Sequence, residues 1–226
     1  MTPIYDDLPE LMTRMTGDEK HDASATSTLD VIWVLYHHIL RVDPAKPDDP
    51  DRDRFLVSKG HGPMAYYAVL AAHGFIGADL LDTFGEFDSP LGYHPDRTLV
   101  PGVEISSGSL GHGLPIATGT ATALKLQRRA ARVVVLVGDA ELDEGSNIEG
   151  IQYAGRAGLD NLTAVVIDNE SAGLGWPGGI HSRFDVEGWT STDVDGRNHD
   201  ALRAAFESRT PDTPHVVIAH VERKDS

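Results

Sequence analysis

The 226-residue sequence contains no cysteine. Disulfides, zinc–thiolate centres and thiol nucleophiles are therefore excluded from this sequence. Basic residues are also scarce, 19 against 35 acidic ones, for a net charge of −16. That balance argues against nucleic acid, whose affinity comes largely from Lys and Arg on phosphates. It argues equally against an anionic membrane surface. An anionic small molecule stays possible, because a local pocket can oppose the global field. No stretch reaches the roughly 18 apolar residues of a membrane span. The acidic start, Met1 to Glu10, lacks the basic and apolar regions of a signal peptide. The expectation is a cytoplasmic protein.

What is present reads as alternating strands and helices. Leu29, Ile32, Trp33, Tyr36, Ile39 and Leu40 repeat at helical spacing after Thr26-Ser27-Thr28. The stretch from Asp43 to Asp53 carries three prolines and five aspartates and reads as a loop. Arg54–Val57 is a short strand that runs into the turn Ser58-Lys59-Gly60-His61-Gly62. Helices are expected over Pro63–Ala72, Leu114–Arg129, Asn147–Ala157 and Ala201–Glu207, and loops over Gly85–Gly102 and Gly173–Gly179. Arg132–Val137 and Leu162–Ile167 are β-branched and apolar on both faces, the pattern of central strands in a parallel sheet. Trp189–Val194 and His215–Val221 complete the strands. The pattern predicts one domain over residues 1–226, a three-layer α/β/α sandwich around a mostly parallel sheet.

In such sheets ligands sit at the carboxyl ends of the strands. One strand ends in Gly138-Asp139-Ala140-Glu141, the other in Asp168-Asn169-Glu170-Ser171. A carboxylate and an amide oxygen arriving together make a hard oxygen site, suited to Mg²⁺ or Ca²⁺. The run Ser106-Ser107-Gly108-Ser109-Leu110-Gly111-His112-Gly113 leads into a helix. Its glycines would let backbone N–H groups approach an anion at a helix start, although most glycine turns only turn the chain.

Asp139 and Asn169 are thirty residues apart with a helix and a strand between them. This resembles the thiamine diphosphate motif. Ser58-Lys-Gly-His61-Gly, Tyr93-His94-Pro95 and Gly108-Ser-Leu-Gly-His-Gly113, in that order, resemble the transketolase branch of that family. His21-Asp22 stands where the family has a Gly-His pair. The resemblance runs from about Thr16 to His220. It implies thiamine diphosphate held through Mg²⁺ (or Ca²⁺) by Asp139, the Asn169 side chain and the Ser171 carbonyl. Gly138, Ala140 and Glu141 would flank that metal site at the cofactor. Gly108, Ser109 and Leu110 would line the cofactor rings. His21, His61 and His94, with His112 beside them, would face the sugar's hydroxyls and carbonyl. Proton transfers there suit imidazoles, which titrate near neutrality. Glu144 would meet an opposing chain near the cofactor. His37, His38, His73, His199, His215 and His220 read as surface or satisfied core residues.

The resemblance implies transfer of a two-carbon ketol unit from a ketose to an aldose, with a sugar or sugar phosphate as substrate. Three departures qualify it. Ala140 replaces the motif's glycine, which would strain the turn by ~1 kcal/mol or more if φ there is positive. The sequence stops at Ser226, where the family continues into a basic segment with a further active-site histidine. No pyrimidine-binding domain follows. A partner chain would then supply that domain, in an α₂β₂ heterotetramer with a second chain of about 300 residues, and this chain would be inactive alone. The alternatives are a deoxyxylulose-phosphate synthase-like enzyme, a 2-oxoacid dehydrogenase component, or a non-catalytic subunit that keeps the fold.

Overall fold

The computed structural model describes residues 3–15, 26–60, 62–173 and 175–223. Five strands form one sheet in the order β1-β2-β3-β5-β4, and every neighbouring pair is parallel. They are β1 (Arg54–Val57), β2 (Val133–Gly138), β3 (Leu162–Asp168), β4 (Thr190–Asp195) and β5 (His215–His220). Seven helices surround the sheet among the described residues: α1 (Leu8–Thr13), α2 (Leu29–Val34), α3 (Met64–Ala72), α4 (Gly113–Leu126), α5 (Gly145–Arg156), α6 (His181–Asp185) and α7 (His199–Glu207).

The continuous apolar strands follow from burial on both faces. Val134, Leu136, Val165, Ile167, Val217 and Ala219 pack with α1, α2, α3 and α7. The alternate residues Val133, Val135, Val137, Ala164, Val166, Val216 and Ile218 pack with α4, α5 and α6. This is the expected three-layer sandwich, with all five strands parallel. Strand β4 lies at the sheet's edge and is only partly buried, which is why its Thr-Ser-Thr-Asp-Val-Asp pattern is the least legible of the five.

Element ends shift for local reasons. The first long helix turns into a π-helical turn over Leu35–Ile39, closed by Leu40 N–H on the Leu35 carbonyl at 2.8 Å. Helix α4 ends at Leu126, ahead of the expected Arg129, because Arg128 takes a left-handed φ of 55°. Helix α7 starts earlier than expected, where the Asn198 side chain caps Ala201 N–H at 3.0 Å. Helices α1 and α6 and a 3₁₀ segment at Ala78–Thr83 add to the expected elements. They are too short for periodicity to mark.

Because every strand runs the same way, Ser58, Asp139, Asn169, Gly196 and Val221 all emerge at one edge of the sheet. At the opposite edge, Asp53 is fully buried before β1. It accepts Arg41 N–H at 3.0 Å, Arg132 N–H at 2.7 Å and guanidinium bonds from both arginines.

Candidate functional site

Strand β2 ends at Gly138, and Asp139 follows with helical φ −59° and ψ −47°, opening a 3₁₀ turn over Ala140–Asp143. Ala140 is not among the residues with positive φ. The alanine therefore costs nothing in backbone strain.

The Asp139 side chain is 1% exposed. Its Oδ2 accepts Ser171 N–H at 2.6 Å and Ala172 N–H at 2.9 Å, and its Oδ1 accepts the Ser171 hydroxyl at 2.5 Å. The segment after β3 thus wraps the carboxylate. Glu170 makes the bend possible by adopting a left-handed φ of 54°. Asn169, in the same segment, is 4% exposed, and its side-chain amide makes no hydrogen bond among the described residues. A cleft of about 410 Å³ opens next to Asp139, lined also by Ala172, Trp176, Ile180 and His220.

The glycine-rich run reaches the same edge. A Cβ on Gly60 would lie 2.5 Å from Gly108 Cα, so these two loops touch backbone to backbone. Gly108 has φ 131°, and a Cβ there would press on the His94 ring at 3.2 Å. His94 Nδ1 lies 2.5 Å from the Gly60 carbonyl. A carbonyl only accepts, so Nδ1 is the donor in this contact. The His94 residue is exposed. Ser109 and His112 are exposed and Leu110 half-buried; His112 sits at the N-cap of α4 without a side-chain cap bond. Glu144 is exposed at the N-cap of α5, beside Gly111. His21 and His61 lie outside the described residues.

Two amides of the glycine run are partnered within the protein. Gly111 N–H already donates to Glu141 Oε1 at 2.9 Å, and Gly113 N–H to Ser58 Oγ at 2.9 Å. Glu141 is 2% exposed and also accepts the Ser58 hydroxyl and Gly138 N–H, the latter at 3.2 Å. Burial pushes its carboxyl up, opposed by those hydrogen bonds and the Lys59 charge.

The comparison with protein families decides what this edge belongs to: residues 15–221 match the transketolase thiamine diphosphate binding domain. The chain belongs to the transketolase family. One of the subunits of an apulose-4-phosphate transketolase from Phocaeicola vulgatus is 37% identical over 90% of this chain and 75% of its own length. A Rhodococcoides fascians protein named ferredoxin fas2 is 56% identical over 98% of this chain and 73% of that protein. The sequence here has no cysteine and so no thiolate for an iron–sulfur cluster. The transketolase of Leishmania mexicana superposes with a TM-score of 0.80 at 23% identity, over 97% of this chain. The chain spans about a third of that solved enzyme, 37% of its length.

Membership of the transketolase family bears out the resemblance read from the motifs, the α/β fold and thiamine diphosphate as the cofactor type. Relatives named as single subunits of transketolases imply a partner subunit for proteins of this kind. The residues fit the cofactor's metal end. A carboxylate, an amide oxygen and a backbone carbonyl are hard donors of the kind a divalent cation takes; among the described residues no group of three or more His, Asp or Glu has metal-binding form. No helix among the described residues is long and apolar enough to cross a membrane.

Sequence reasoning passes over Ser58 and Arg183. Ser58 stands within a quoted motif but is overshadowed there by its histidine. Arg183, on α6, donates to the Leu142 carbonyl and stacks over Trp176 in the loop after β3. Burial lowers its guanidinium to about 10, against the pull of Asp143.

Proposed function

We propose that this chain, acting as one cofactor-binding domain, holds thiamine diphosphate through Mg²⁺ (or Ca²⁺). With a partner chain carrying the pyrimidine-binding domain, it transfers a two-carbon ketol unit from a ketose to an aldose. The observation that carries this reading is the buried Asp139 carboxylate at the end of β2, wrapped by the segment after β3 through Ser171 and Ala172, with buried Asn169 beside it in that segment. Asp139, the Asn169 side chain and the Ser171 carbonyl would hold the metal. Bound there, the cofactor supplies the electron sink for cleavage beside a ketose carbonyl.

The protein's own part is orientation and proton handling. Gly108, Ser109 and Leu110 would bear on the cofactor rings, with Gly138, Ala140 and Glu141 behind the metal. Glu144, exposed at the same edge, would face the partner. The His94 ring, fixed through Nδ1, would exchange a proton with a substrate hydroxyl. His21, His61 and His112 would join it. The relative named as part of an apulose-4-phosphate transketolase supports a two-chain enzyme and a sugar phosphate among the substrates. The assembly is an α₂β₂ heterotetramer in the cytoplasm. The unstrained Ala140 removes the main support for a non-catalytic role.

The test is reconstitution. The isolated chain should transfer no ketol unit from ketoses, and adding the partner chain should restore transfer, with light scattering reporting the tetramer. Transfer by the isolated chain would overturn the split enzyme. An inert mixture with full cofactor binding would overturn the catalytic reading.

A second expected result concerns His94. His94→Asn can keep a donor to the Gly60 carbonyl while removing the basic nitrogen. Turnover of the assembled enzyme should fall roughly 10²-fold, the range for a positioned acid–base group, while cofactor affinity changes little. Wild-type turnover in the variant would remove His94 from the chemistry.

A further inference from the structure

Glu141 joins three segments that are distant in sequence. Its Oε1 accepts the Ser58 hydroxyl, at the end of β1, and Gly111 N–H at 2.9 Å. Its Oε2 accepts Gly138 N–H at 3.2 Å, and its carbonyl accepts the Asn147 amide at 2.7 Å. Ser58 Oγ in turn accepts Gly113 N–H at 2.9 Å. Gly113 opens α4, whose own N-cap, His112, makes no side-chain bond. The first N–H groups of a helix need acceptors from outside it, and here Ser58 supplies one from another strand. The first amide of the helix is thus capped by Ser58, and the Gly111 amide just ahead of it is held by the Glu141 carboxylate.

We propose that Ser58 and Glu141 are positioning residues: they lock the glycine-rich loop to the ends of β1 and β2 before the cofactor arrives. The inference rests on the thiamine diphosphate reading above. Gly108 and Leu110 ride on the locked loop, whereas Asp139 stands at the end of β2, two residues from Glu141. The lock therefore sets the spacing between the ring end and the metal end of the cofactor site. Gly113 is part of the device, since a Cβ there would fall inside the Ser58 side chain. A loop already held in place spares the cofactor the cost of ordering it.

Two readouts on the assembled complex test the lock: hydrogen exchange at the Gly111 and Gly113 amides without cofactor, and calorimetric titration with thiamine diphosphate and Mg²⁺. Glu141→Ala and Ser58→Ala should each speed exchange of those amides by roughly 10-fold or more, the scale of a lost buried hydrogen bond. Each should weaken cofactor binding by a similar factor. Glu141→Gln, which keeps a carbonyl acceptor, should fall between them and wild type. Lost affinity with unchanged exchange would overturn the proposal, because Glu141 would then act on the cofactor directly. Unchanged values in both readouts would overturn it as well. If Glu141→Ala fails to fold, the smaller Ser58→Ala change decides. A wild-type complex that binds no thiamine diphosphate would remove the functional reading instead, and the exchange data would still decide whether the lock exists.

Discussion

Asp139→Ala should abolish Mg²⁺-dependent binding of thiamine diphosphate in the assembled complex. The carboxylate is 1% exposed and directly follows the end of β2. A bound cation is the largest local charge in such a site. Removing its carboxylate should cost several kcal/mol, and every 1.4 kcal/mol is a factor of ten in affinity. The substitution also frees Ser171 N–H, Ala172 N–H and the Ser171 hydroxyl, which the carboxylate now accepts at 2.5–2.9 Å. The loop after β3 should therefore loosen while the sheet survives. Asp139→Asn separates the two effects: it keeps an acceptor for the loop but removes the charge, and it should still lose most metal-dependent affinity. Calorimetry that returns wild-type affinity for either variant, with circular dichroism confirming the fold, would exclude Asp139 as a ligand.

The second large effect belongs to the opposite edge of the sheet. Asp53→Ala should destabilise the chain by roughly 1–3 kcal/mol, the cost of leaving the buried amides and guanidinium donors it accepts without a partner. Asp53 is 0% exposed and receives hydrogen bonds from both the backbone and the guanidinium of Arg41 and Arg132. Those contacts bind Arg41, after the π-turn, to the starts of β1 and β2. Burial raises the Asp53 carboxyl, but the Arg41 bonds, the Arg132 amide and the Arg132 charge outweigh it and hold the carboxyl below its ordinary value. A depressed folded-state value means the stabilisation is complete above the unfolded value near pH 4 and is lost as pH falls through the folded one. The stability gap between wild type and Asp53→Ala should therefore be constant near neutrality and narrow only below about pH 4. Denaturant melts across that range give the test; equal midpoints at pH 7 would refute the role.

The legible and illegible parts divide by sequence distance. The strands β2 and β3 announce themselves because a strand buried on both faces must be apolar throughout. The spacing of Asp139 and Asn169 is legible for the same reason: one helix and one strand take about thirty residues. Ala140 is undecidable from sequence, since its cost depends on a φ that only the 3₁₀ turn settles. The glycine run misleads in one respect. Its glycines serve the close contact of Gly108 with Gly60 and of Gly113 with Ser58, and its Gly111 and Gly113 amides are already partnered within the fold.

The sequence by itself determined the sandwich, the strand ends that carry Asp139 and Asn169, the family motifs and the lack of any thiol in these residues. These are properties of composition and local period, which the chain carries wherever it goes. Only the tertiary structure decided that Ser58, Gly111 and Glu141 meet, that Asp53 gathers Arg41 and Arg132, and that the segment after β3 wraps Asp139. Each of these depends on hydrogen bonds between segments tens of residues apart. Side-chain identity shows that such groups can pair; only the register of a parallel sheet, packed on both faces, selects which of them do.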